Sequence, residues 1–161
     1  MRKKILITLA VLLVIIQFIH PERNKAAGPQ PNALSTHITI PDNIKNLLAK
    51  ACYDCHSNNT RYPWYSQIQP VHWWMNHHVR DRKEQLNFDE YSNRTLRYQY
   101  HVMEEITDEI EEGEMPLDSY TWMHREAKLT DAEKNDLIDW ANKVRADMEA
   151  KYPKDSLIRK K

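Results

Sequence analysis

Cys52-Tyr53-Asp54-Cys55-His56 spells C-x-x-C-H, the attachment signature of a c-type haem. Two thiols at this spacing can each form a thioether to a porphyrin vinyl group, and the imidazole that follows reaches the iron from the proximal side. The spacing has a geometric cause. Two sulfurs must meet two fixed points on one edge of a rigid ring while the His lies under its centre, and one turn of backbone after a helix places all three. The chain has two cysteines in all, so no disulfide framework is left to build elsewhere.

Three other readings use the same residues. A thioredoxin-like redox pair belongs in a βαβ setting, and no alternating, strand-rich pattern surrounds the motif. A zinc finger would join Cys52 and Cys55 to His72 and His77. The spacer from Cys55 to His72 exceeds the usual run of about 12–15 residues, and Pro63 and Pro70 within it would interrupt a finger's helix. A plain Cys52–Cys55 disulfide in an exported chain is the third.

A sixth iron ligand is offered by Met115, in Glu112-Gly113-Glu114-Met115-Pro116-Leu117. Pro116 keeps the preceding residue extended and out of a helix, which frees the Met to turn inward. A soft thioether sulfur favours ferrous iron, so His/Met ligation raises the potential. The plain alternative for a Met is core packing. His72, His77, His78, His101 and His124 also follow the motif. His78, beside Trp73 and Trp74, and His124, shortly after Met115, are the alternative distal ligands. Bis-His ligation would lower the potential, and an open sixth position would admit peroxide or small ligands. Most of these His residues read as surface or supporting groups.

The elements that must position these groups read as helices. Only two Gly and 29% charged residues suit a helical protein better than a β-sandwich. A first helix is expected from about Pro41, capped by Thr39 or Asp42, with Ile44, Leu47, Leu48 and Ala51 at helical spacing. It delivers Cys52 at its C-terminal end. Residues 57–71 read as a loop, Trp73 to about Leu86 as a shorter helix, and Asn87 to Glu90 as a turn. A longer helix, capped by Ser92 or Asn93, carries Leu96, Tyr100, Met103, Ile106 and Ile110. Its acidic run through Glu112 reads as a solvated face, and Gly113 as its stop. The last helix opens with a Thr130–Glu133 capping box and carries a Leu137, Ile138, Ala141, Val144, Met148 stripe. Tyr62, Trp64, Tyr65, Trp73 and Trp74 would wall the ring or fill the core.

The N-terminus sets the compartment. Met1-Arg2-Lys3-Lys4 is basic, and Ile5 to Ile19 is apolar apart from Thr8 and Gln17. That run is shorter than the ~20 residues that cross a bilayer comfortably and has signal-peptide length. A cut after Ala27 would place Lys25 where a small residue belongs, which tips the balance towards an uncleaved anchor. The chain therefore divides into a signal peptide or membrane anchor (1–20), a Pro-punctuated tether (21–38), a haem c-binding domain (39–150) and a basic tail (151–161). Either fate of the leader leaves the basic end in the cytoplasm and the bulk exported, to the periplasmic side of a bacterial inner membrane. Equal numbers of basic and acidic residues, 23 of each, argue against nucleic acid as a partner.

From about Ile44 to Val144 the chain resembles the bacterial haem-binding domain proteins, relatives of class I cytochromes c. The resemblance rests on Cys52 to Asn58, Thr60-Arg61-Tyr62-Pro63-Trp64-Tyr65, Pro70-Val71, His78-Val79, Leu86-Asn87-Phe88 and Gly113-Glu114-Met115-Pro116-Leu117. It continues through Tyr120, His124, Ala127-Lys128-Leu129-Thr130 and Trp140. It implies an all-α, cytochrome c-like domain around one covalent haem c, with Cys52 and Cys55 as anchors, His56 as proximal ligand and Met115 in the distal position. It implies no defined reaction. Electron transfer with respiratory or other redox proteins is the first expectation, a haem enzyme of peroxidase type the second, and a redox or gas sensor the third.

Overall fold

The computed structural model describes residues 1–158 and, among these, consists of helices and connecting segments without a β-strand. The basic end at Lys160-Lys161 lies outside the described residues. The helix bearing Ile44, Leu47 and Leu48 runs Asp42–Ala51 (α3, after α1 Arg2–Ile16 and α2 Leu34–His37) and buries those three residues. Pro41 holds its N-cap position and no side chain caps it, neither Thr39 nor Asp42. Asp42 instead sits in the first turn, where a carboxylate suits the helix dipole. The helix breaks at Cys52, and one further turn, α4 (Tyr53–His56), carries the rest of the motif.

The expected helix after the loop is α5 (Val71–Gln85), preceded by a 3₁₀ turn at Trp64–Gln67. The turn at Asn87 is a 3₁₀ segment, Phe88–Glu90, closed by the Asn87 side chain accepting from the Asp89 amide. The long helix is α6 (Leu96–Glu111), and its cap is Thr95 rather than Ser92 or Asn93. Gly113 follows at φ +79°, a left-handed turn that favours glycine. The Met115 and Glu114 amides both donate back to the Glu109 carbonyl, at 3.1 and 3.0 Å, which lays the Met-Pro loop against the end of α6. A short helix absent from the sequence reading, α7 (Asp118–Met123), comes next. The last long helix, α8 (Asp131–Lys151), carries the Thr130–Glu133 capping box in full.

The core forms where α6 and α8 pack together and α3 closes over them. Leu48, Val102, Met103, Leu137 and Ala141 are sealed from solvent there. The segment after α8 forms a further turn, α9 (Lys154–Leu157), and buries Leu157 in the same core, so the described part of the expected tail is packed.

Residues 21–38 lie along the domain. Asn24 Nδ2 donates to the Ser57 carbonyl (2.8 Å) and to Thr60 Oγ1 (2.9 Å), and Lys25 forms an isolated antiparallel bridge with Asn59. Leu34 is buried in the core. These residues act as a strap across the loop that follows the motif. Ahead of the strap, α1 buries no residue. Among the described residues no helix is long and apolar enough to cross a membrane.

Candidate functional site

The site begins at His56. Its Nδ1 lies 3.0 Å from the backbone carbonyl of Leu86. A carbonyl only accepts, so Nδ1 carries the proton and Nε2 keeps its lone pair. Burial, aided by the Arg82 guanidinium, lowers the His56 pKa and keeps the ring neutral. A neutral imidazole, oriented through its other nitrogen by a backbone carbonyl, is what a metal-ligating His requires. Leu86 supplies that carbonyl because α5 ends there and its backbone turns extended. The ring of Phe88 meets His56 edge-on at 6.4 Å.

Two cavities flank the motif. One, of about 270 Å³, is lined by Cys52, His56 and Met115, with apolar walls from α3, α6 and α8. The other, of about 670 Å³, is lined by Cys55, His78, His124 and aromatic side chains including Tyr65 and Trp74. The motif thus forms the partition, with one thiol on each side. Burial pushes the Cys52 thiol up to about 12 and the Cys55 thiol up to about 11.

Each residue read from sequence has a definite place. Met115 shares the cavity of Cys52 and His56. His78 and His124 are on the Cys55 side. His124 has both ring nitrogens engaged: Nε2 lies 2.6 Å from Tyr65 Oη and Nδ1 3.3 Å from Glu126 Oε1, while its ring stacks on Tyr120. His78 bonds through Nδ1 to the Trp74 carbonyl (2.9 Å). The residues of the zinc reading separate: His72 is buried against His20 and Tyr62, and His77 pairs with Asp81 on the surface. Among the described residues no three His, Cys, Asp or Glu side chains converge as a metal site. Of the aromatic group, Tyr65 and Trp74 line the larger cavity, whereas the Trp73 indole donates to the Ile19 carbonyl just ahead of the strap.

Asp54, inside the motif, has a role that spacing did not reveal. It is buried and accepts from the Arg61 amide (3.0 Å), from Arg61 Nε (3.0 Å) and from Tyr120 Oη (2.7 Å). One carboxylate therefore joins α4, the following loop and α7. Burial and this carboxylate push the Tyr120 hydroxyl well above the usual tyrosine range. The sequence signal was present as an acidic residue between the two Cys with an Arg soon after, but nothing in the spacing linked them to Tyr120.

No curated protein and no solved structure matches the chain. The family model for a haem-binding domain matches residues 11–143. That span takes in the strap, both cavities, the C-x-x-C-H turn and the Met115 loop, and the chain belongs to the haem-binding domain family.

Proposed function

We propose that this protein is an exported, mono-haem c-type cytochrome that passes single electrons. Cys52 and Cys55 would hold the haem as thioethers, with His56 Nε2 as proximal and Met115 Sδ as distal ligand. The observation that carries this is the His56–Leu86 bond, which leaves the other imidazole nitrogen of a C-x-x-C-H motif free to take a metal. It is supported by Met115 lining the same cavity. A ring bonded to both thiols would draw on both cavities, since one of the two cysteines lines each. When bound, the group supplies a one-electron ferric/ferrous couple. The chain's own contribution is to fix both axial donors and to surround them with apolar side chains such as Leu48, Phe88 and Leu137.

The domain would take a cytochrome c-like form and act on the periplasmic side of an inner membrane, with respiratory or other redox proteins as partners. The N-terminal helix would stay attached as a membrane anchor. The segment just ahead of the strap favours retention, because a cut after Ala27 would remove the Ile19 carbonyl that accepts from the buried Gln69 side-chain amide (2.7 Å).

The test is the visible spectrum of the haem-loaded protein, with its mass. A low-spin, six-coordinate spectrum indifferent to carbon monoxide when reduced is the expected result, with a mass that includes haem after denaturation. Met115→Ala should abolish the thioether-to-ferric charge-transfer band, and His56→Ala should prevent loading. A colourless denatured chain with two alkylatable thiols overturns the proposal, and a high-spin iron that binds cyanide readily moves the reading to the peroxidase-type enzyme.

A further inference from the structure

The face of the domain from which the N-terminal helix departs is unusually apolar. Trp64, Trp74 and Trp122 are 76%, 48% and 79% exposed, and Ile68, Val71 and Met123 lie open as well. Four of the six (Val71, Trp74, Trp122 and Met123) line the larger cavity, so they form one continuous rim. Trp64 packs edge-on to Tyr65, which also lines that cavity. An exposed patch of this kind marks a contact surface.

The chain itself indicates what covers it. The end of α1 is fastened to the rim. Gln17 Oε1 accepts from the Gln69 amide (2.9 Å), and the Ile19 carbonyl accepts from the Trp73 indole (3.0 Å). Gln69 and Trp73 are sequence neighbours of Val71 and Trp74. The apolar helix, none of whose residues the domain buries, therefore leaves from the edge of the tryptophan patch. Its 15 residues reach only about 22 Å, against a hydrocarbon core of about 30 Å. A short apolar segment draws flanking residues down to the interface, where Trp is the favoured side chain. Arg125 and Lys128 border a surface depression beside Trp122, with Asp118 as its one carboxylate. That balance suits anionic headgroups.

We propose that this tryptophan rim rests in the headgroup layer of the membrane that receives α1, so that the Cys55 side of the motif faces the lipid surface. This rests on the retained anchor of the function proposed above. The site adds a second, peripheral contact to that anchor and fixes the domain's orientation.

The experiment uses the full haem-loaded chain in vesicles of phosphatidylcholine with a minority of phosphatidylglycerol. Nitroxide labels are placed singly through Trp64→Cys, Trp74→Cys, Trp122→Cys, Lys143→Cys and Leu9→Cys, and their collisions with oxygen and with a water-soluble nickel chelate are measured. Lys143 is a solvent-facing reference on α8. The rim labels should show a severalfold higher oxygen-to-nickel ratio than the Lys143 label. Rim labels that match Lys143 overturn the proposal. Rim labels shielded from both reagents overturn it too, in favour of a second copy, another protein or the haem itself covering the rim of the cavity it shares. The Leu9 label separates the two readings: lipid-like at Leu9 with a water-like rim sinks the rim alone, whereas a water-like or missing Leu9 label sinks the anchor. Label uptake by the unsubstituted chain would expose free thiols at Cys52 and Cys55.

Discussion

Asp54 ties the centre of C-x-x-C-H to Arg61 and Tyr120 through one buried carboxylate. Asp54→Asn keeps the shape but removes the charge that Arg61 answers and one acceptor. We expect a loss of about 1–3 kcal/mol, read as a lower melting temperature, with Tyr120→Phe costing less because it removes one short bond to Asp54 (2.7 Å) and a long one from Arg61 (3.4 Å) while the Asp54–Arg61 ion pair stays. The thiols give a second residue-scale prediction, for the haem-free chain. Both have folded pKa values raised by burial above the ordinary 9.0, to about 12 and about 11. Unfolded thiols release their protons first as pH rises, so stability held below about pH 9 drains away towards pH 11–12. Melting temperatures at pH 7 and pH 10.5 should show the fall, and Cys52→Ala should make it smaller. At this scale the sequence revealed Cys52, Cys55 and His56, because their spacing is itself the chemistry. The Leu86 carbonyl was invisible, since every residue has one and only the fold decides which faces His56. His124 was legible as a candidate but not as a hydrogen-bonded one, because Tyr65 lies far from it in sequence and meets it only in space.

Among the elements, local signals read well where side chains cap or pattern a helix. The Thr130–Glu133 box and the Gly113 stop stand where the sequence placed them. α7 was missed because six residues with no buried member carry no apolar period. The cap of α6 fell on Thr95 because Ser92 is drawn away to the Asn32 carbonyl at 3.1 Å. Gly113 is where element and site meet, since its positive φ begins the loop that Glu109 pins. A Cβ there meets nothing within 4 Å, so Gly113→Ala should cost only backbone strain, about 1 kcal/mol. If Met115 is the distal ligand, the same substitution should weaken the thioether charge-transfer band in the loaded protein without abolishing it. Thr130→Ala, which removes a cap of similar worth, about 1 kcal/mol, should leave that band unchanged.

Across the whole molecule, the segment between the N-terminal helix and the core departs most from the sequence reading. Its prolines and aperiodic apolar residues suggested a spacer, because the polar bonds of Asn24 and the burial of Leu34 depend on partners remote in the chain. Removing residues 1–16 should leave the melting temperature of the domain nearly unchanged, because α1 buries nothing. Removing residues 1–27 should lower it by on the order of 5–10 °C, as several net hydrogen bonds of roughly 1 kcal/mol each are lost. Equal melting temperatures for the two truncations would show the strap to be energetically idle. The strap's course also has a mechanical meaning. Asn24 and Lys25 grip Ser57, Asn59 and Thr60, so the chain leading from the N-terminal helix is fastened beside the turn ending at His56. A sideways pull on that helix would be delivered one residue away from His56, as load rather than as uncoiling chain.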